Sequence, residues 1–313
     1  MNKYLKIFWT LIFCLTFTAT SAFAASNKDS QGIRAFRNSV YETMNDSQKI
    51  FHQYIRFGVP DFKGELDFNG KVDGHTLNLA GALDFSIISA AGENVPINMP
   101  FYIAQNENSL DIYYKTDDKW SKYAAPSVAA ELTDIIASPT KQEIDKEISM
   151  IKSVKILHET DSLRTLLVTI DGKKLADELK FISDKNPADK GTQGDEIIHN
   201  EFLFYIDAAF RKNDISYVWT IDKKNHQSKA ISVDLSNLIR DIALSVLNDP
   251  HQNFGDAADS ILETLAFYSD LKLYTTFLDN KAQSTLTIPN EVIENAVEVK
   301  DVVPDKIPDN VTK

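Results

Sequence analysis

The chain has one cysteine in 313 residues, Cys14, and it sits in the apolar stretch IFWTLIFCLTFTATSAF near the start. No thiol follows it. Disulfide stapling, thiolate nucleophiles and cysteine zinc sites are therefore excluded for the rest of the chain. No small-residue lipobox surrounds Cys14, so lipid attachment there is not expected. Positive charge is also short: 33 Lys and Arg stand against 45 Asp and Glu, a formal charge of −12. With no basic stripe, nucleic acid is excluded as a partner. The histidines, at 52, 75, 158, 199, 226 and 251, form no H-E-x-x-H and no close pair, so no metal site is expected. There is no G-x-S-x-G and no phosphate loop. S-x-x-K occurs at Ser138–Lys141 and Ser149–Lys152, but its companions S-D-N and K-T-G are missing, and Ser138 before Pro139 reads as a helix cap. DFNGKVDG and DKNPADKG miss the calcium-loop spacing and read as turns. After the first residues no apolar run is long enough to cross a bilayer. The expectation is a protein that is not an enzyme and carries no cofactor.

The opening segment has the parts of a secretory signal: Lys3 and Lys6, then the apolar stretch, then Ala22 and Ala24 at the small-residue positions of a cleavage site. Residues 1–24 are expected to be removed, leaving an exported chain, periplasmic or extracellular, of about 289 residues and about −14 charge. Such acidity favours solubility.

The remainder divides by period. Ser26–Phe57 reads as one helical region, with Ile33, Phe36, Val40, Met44, Phe51 and Tyr54/Ile55 at helical spacing. Gly58 and Pro60 end it. The pattern then alternates. Phe62, Leu66 and Phe68 share a face, and after Asp73-Gly74 so do Leu79, Leu83 and Phe85. A two-residue loop at Asp73-Gly74 places Phe68 opposite Leu79, Gly64 opposite Leu83 and Phe62 opposite Phe85. GELDF and GALDF echo each other across this hairpin. One apolar and one polar face mark an antiparallel sheet, and further alternating pieces make about nine to eleven strands. They are FYIA at Phe101, VKILHE with LRTLLVTI, ISYVWTI with KAISVDL, and LKLYTTF with STLTI. Helices are predicted in SVAAELTDIIA, TKQEIDKEISMI, KKLADELKFI, LSNLIRDIALSVL and DAADSILETLAFY. The fold class is α+β. The chain forms a single domain over 25–299, with a mobile polar loop at 183–196 and a disordered tail at 300–313.

In DIYYKTDDKWSKY, an Asp117-Asp118 turn sets Lys115 against Trp120, Tyr113 against Lys122 and Ile112 against Tyr123. Ile112 and Tyr114 then belong to the inner face. Tyr113 and Trp120 belong to a solvated outer face with lysine stems on their rings, a cross-strand cluster that also has the makings of a sugar platform.

This layout resembles the LolA-like superfamily of bacterial envelope proteins, which includes lipoprotein carriers and mycobacterial lipid-binding lipoproteins. Its closest resemblance is to a set from diderm Firmicutes. The likeness rests on YYKTDDKWSKY at 113–123, VDLSNLI at 233–239 and STLTIPNEVIENA at 284–296, and it spans roughly 27–297. It implies a curved half-barrel sheet with helices packed on the concave face, around a cavity that accepts acyl chains. The matched apolar positions Phe62, Leu66, Phe68, Leu79, Leu83 and Phe85 would line that cradle. Ile33, Phe36 and Val40 from the first helix, and Ile112 and Tyr114 from the later hairpin, would complete it. The expected partner is lipid or an acylated protein, with transient membrane contact, and the protein would be a monomer. The competing expectation is a structural or adhesion-type envelope protein with a filled core, contacting carbohydrate if anything.

Overall fold

The computed structural model describes residues 31–45, 48–59, 62–73, 76–88, 92–106, 109–125, 145, 148–185, 193–250, 254, 258–278 and 286–299. The expected signal peptide, the helix from Pro126 and the expected tail lie outside the described residues. So does the helix TKQEIDKEISMI except residues 145 and 148–151.

Helix α1 (Gln31–Asn45) leads into β1 (Gln48–Val59), β2 (Phe62–Asp73), β3 (Thr76–Ile88), β4 (Asn94–Gln105), β5 (Leu110–Thr116) and β6 (Lys119–Ala125). These six strands form a meander. The chain then starts again with β7 (Ile151–Glu159) and β8 (Leu163–Ile170), followed by helices α2 (Gly172–Lys185) and α3 (Gln193–Lys212). Next come β9 (Ile215–Asp222), β10 (Ser228–Asp234), α4 (Ser236–Asn248), α5 (Ala258–Phe267) and β11 (Lys272–Leu278). The described chain closes with α6 (Asn290–Asn295) and β12 (Val297–Glu298). The result is an α+β fold: one open sheet of twelve strands, in the order β12-β6-β5-β4-β3-β2-β1-β11-β10-β9-β8-β7, plus six helices among the described residues. Every pairing is antiparallel except β12 on β6. The two meanders meet where β1 pairs with β11.

Three expectations need correction. The first helix ends at Asn45, and Gln48–Val59 is a strand in mid-sheet, not the helix's second half. Phe51 and Ile55 are four residues apart, a spacing that fits a helical face and also one face of a strand. The alternation Phe51, Gln53, Ile55, Phe57 buried, with His52, Tyr54 and Arg56 half-buried between them, is the strand's signature. Second, helices take both ends of the stretch that reads as polar loop. Helices reach Lys185 and resume at Gln193, so only 186–192 remains of the expected 183–196 loop, and that lies outside the described residues. Phe202, Tyr205, Ile206, Ala209 and Phe210 give α3 its buried helical stripe. Third, the described part of STLTI, from Leu286, is not a strand. It runs irregularly to Pro289, which starts α6.

The first hairpin keeps its predicted faces but shifts register by two. Asp73 pairs with Thr76, and Phe68 meets Gly81, Gly64 meets Phe85, Phe62 meets Ile87. In this register the GELDF and GALDF echoes pair with each other, Gly to Phe, Leu66 to Leu83, Phe to Gly. On the other side of β2, the rings of Phe57 and Phe51 lie against Gly64 and Gly70, their cross-strand partners. A Cβ at Gly64 would come 2.0 Å from Phe57 Cε2, and one at Gly70 would come 2.1 Å from Phe51 Cζ. Glycine at these two positions is what lets the rings lie down on the sheet.

The helices pack on one face of the β7–β11 and β1 half. Helix α1 lies on β7 and sends Phe36 edge-on to Trp219 of β9, ring centres 5.0 Å apart. Helix α5 lies on β1, and α2, α3, α4 and α5 pack on one another in succession. Together they bury one continuous hydrophobic core, which includes Phe51, Leu166, Trp219, Ile231 and Phe210.

Candidate functional site

One row of side chains crosses all twelve strands on the helix-bearing face. It runs Ile156, Leu166, Trp219, Ile231, Thr275, Gln53, Phe68, Gly81, Phe101, Tyr114, Ser121, Val297. Burial changes along it. From Leu166 to Phe68 every side chain is buried. Gly81, Phe101, Tyr114 and Ser121 are half-buried, and Val297 is 65% exposed. The helices thus fill one half of this inner face and leave the other half, on β2 to β6 and β12, partly open among the described residues.

The open half is apolar. On β2, β3 and β4 the inner positions include Phe62, Leu66, Leu83, Phe85, Val95, Ile97, Met99, Phe101 and Ile103. Val95 is 51% and Ile97 37% exposed, unusual for large aliphatic side chains on a sheet face. A run of aromatic contacts joins the open half to the filled one. Phe57 of β1 touches Phe267 of α5 (centres 4.9 Å), Phe267 touches Phe62 (4.6 Å), and Phe62 reaches Phe85 (6.1 Å).

The predicted cradle residues divide between the two halves. Phe36 and Val40 are buried on α1, with Ile33 partly buried beside them, and α1 lies over the filled half. Phe68 and Leu79 are buried near the boundary. Phe62, Leu66, Leu83, Phe85, Ile112 and Tyr114 are half-buried, on the inner face of the open half. The structure thus places the α1 residues over the filled half and Ile112 and Tyr114 on the open half.

The sequence reading missed the first half of β4. NVPINMP looks broken because of Pro96 and Pro100, yet Val95, Ile97 and Met99 continue the alternation into Phe101 and Ile103. The ladder to β5 begins at Phe101, so, among the described residues, 94–100 pair with β3 alone. Prolines are tolerated at such an edge, where a missing N–H breaks no ladder bond.

The β5–β6 hairpin has the predicted register: Lys115 meets Trp120, Tyr113 meets Lys122, Ile112 meets Tyr123. Asp117 and Asp118 both have positive φ, 48° and 62°, as the turn demands. The outer face is less solvated than expected, because Tyr113 is only 5% exposed. Tyr102 of β4 and Trp120 of β6 come within 5.6 Å of each other although β5 runs between them, so both rings lean over that strand. Lys122 stands 5.7 Å from the Tyr113 ring centre. Its ammonium bonds the buried Asp111 at 2.9 Å, and that bond holds the Lys122 pKa above its ordinary value. Asp111 also accepts from Asn106 and Ser109.

In the Ser149–Lys152 motif, Lys152 is held by Asp214 at 2.6 Å. Ser138 lies outside the described residues. Among the described residues no group of three His, Cys, Asp or Glu stands together as a metal site, and no helix is long and apolar enough to cross a membrane.

No family model and no curated protein sequence matches the chain. Among solved structures it is similar to the lipoprotein LppX of Mycobacterium tuberculosis, at 12% identity and a TM-score of 0.39, over 83% of this chain and 100% of that one. It is also similar to LprF of Mycobacterium bovis, at 10% identity and a TM-score of 0.39, over 82% of this chain and 97% of that one.

Proposed function

We propose that the protein is an exported, non-enzymatic holder or carrier of lipid in the cell envelope, and that acyl chains, free or on an acylated protein, lie on the open half of the inner face. The observation that carries this reading is the fall in burial along the twelve-strand row, from Leu166 under the helices to Val297 in solvent. A sheet face with Val95 and Ile97 uncovered leaves apolar area in water at roughly 25 cal/mol per Å², and an acyl chain laid on it removes that cost without a directed polar contact. Ligand sites of this type are mostly apolar with few polar groups, as here.

Native mass spectrometry of gently purified protein, together with titration of a fluorescent fatty acid, tests the proposal. Co-purified lipid or saturable binding supports it. Ligand-free protein in repeated preparations, with no binding of fatty acid or phospholipid, removes it.

A further inference from the structure

The inner positions of β2 to β6 carry a single charged side chain, Lys119. The outer positions of the same strands alternate charges freely, with Lys63, Glu65, Asp67 and Lys71 on β2, Asp84 on β3, and Asp111, Lys115 and Lys122 on β5 and β6. Solubility is thus supplied by the outer face, and one exposed cation on the inner face stands apart from that pattern. Lys119 opens β6 directly after the turn and pairs with Thr116. Among the described residues it makes no ion pair. Of the two turn carboxylates, Asp118 is drawn to Lys115 at 3.0 Å and Asp117 is exposed.

An apolar row leads to this lysine. Val233, Leu273, Ile55, Leu66, Leu83 and Met99 follow one another across the sheet. The β4–β5 ladder stops at Phe101–Tyr114, and one step further on the same face stand Met99 and Thr116, with Lys119 beyond. From Leu66, the first half-buried residue of that row, to Lys119 is four strand spacings, about 19 Å at about 4.8 Å each. A bilayer leaflet offers a chain about 15 Å of hydrocarbon depth. The row is therefore long enough to lay out an acyl chain with its head at Lys119. The hydroxyls of Thr116, Tyr114 and Ser121 are carried by the same face beside it.

We propose that Lys119 anchors the anionic head of an acyl ligand whose chain lies across the open half of the sheet. This rests on the lipid-holding reading above and adds a ligand class: amphiphiles with one carboxylate or phosphate head. A charge-assisted bond at an apolar rim discriminates an acid from its ester, because the ester offers no charge.

The test measures equilibrium binding of three probes to the full chain: a pyrene-labelled hexadecanoic acid, its methyl ester, and the matching alkyl phosphate. The wild type should prefer the acid or the phosphate to the ester. Lys119→Gln should weaken the preferred anionic probe about tenfold or more while leaving the ester unchanged, and Lys119→Arg should restore it. Response of the acid alone assigns a fatty acid, and response of the phosphate alone assigns a phospholipid head. If acid, phosphate and ester bind equally and Lys119→Gln moves none of them, the anchor is wrong and the apolar cradle stands. If no probe binds the wild type, the cradle reading fails and the anchor falls with it.

Discussion

Gln53 donates from Nε2 to the hydroxyl oxygen of Thr275 at 2.9 Å, with both side chains buried in the middle of the inner face. The two residues are 222 apart in sequence and stand opposite each other where β1 joins β11. That seam is the only ladder between the two meanders among the described residues. Apolar neighbours alone would let it slip by two residues without exposing anything, since the face repeats every two. A buried polar pair has no such freedom. Gln53→Ala should cost about 1–3 kcal/mol, because it leaves the Thr275 hydroxyl without its partner. The double replacement Gln53→Leu with Thr275→Val should cost less than the sum of the single changes. Urea denaturation of the four proteins gives the coupling, and strict additivity would mean the bond contributes nothing to the seam.

The hairpin at Asp117-Asp118 makes a prediction about two adjacent tyrosines. Tyr113 is buried beneath Tyr102, Trp120 and Lys122, whereas Tyr114 lies half-buried on the open inner face. Tyr113→Ala should cost about 3–5 kcal/mol, the range for deleting a core aromatic, and Tyr114→Ala about half of that or less. Denaturant melts of both variants rank them. The opposite order would mean that the inner face is closed over Tyr114.

The two hairpins show what sequence can specify. Alternation identifies a face, and the faces of Phe62–Asp73 and Thr76–Ile88 follow from it. It is blind to a shift of two, because such a shift returns every side chain to its own face. The β2–β3 register therefore depends on the choice of loop, and Asp73 lies in the ladder, not in the turn. The β5–β6 register was legible because Asp117-Asp118 interrupts the alternation at one place. Strand β1 was illegible for a related reason, as Phe51 and Ile55 satisfy both periods. The site was legible as a face and not as a place. Nothing in Leu166 and Leu83 themselves tells which is covered, since that depends on helices α1 and α5 packing on β7 and β1, far away in sequence.

Asp214 gives a prediction in pH. It lies just before β9, accepts from Lys152 of β7 at 2.6 Å, and receives the Gly172 N–H at the start of α2 at 3.3 Å. The bond to Lys152 holds its carboxyl below the usual carboxylate range, aided by Gly172 and opposed by burial. A pKa lowered in the folded state stabilises above the unfolded value, about 3.9, and that contribution is lost as pH falls through the folded value. Asp214→Asn should therefore be less stable than the wild type at pH 7. The gap should hold down to about pH 5 and close below about pH 4. Thermal melts over pH 2.5–7 follow it. A gap unchanged at pH 2.5 would assign the loss to packing instead of charge.

The same truncation placed at two points of the inner face separates the filled half from the open one. Leu166 of β8 is fully buried under the helices, and Leu83 of β3 is half-buried on the same face, in the open half. Leu166→Ala removes methyl groups from close-packed surroundings and should cost about 3–5 kcal/mol, since transfer and cavity terms add. Leu83→Ala should cost nearer 1 kcal/mol, because its side chain already meets water and leaves no sealed void. The order should reverse for ligand. Fatty-acid affinity should fall for Leu83→Ala and stay unchanged for Leu166→Ala, measured on folded protein well below its melting temperature. Equal stability losses at the two sites would mean that β3 is as covered as β8, and the apolar face would then be core alone.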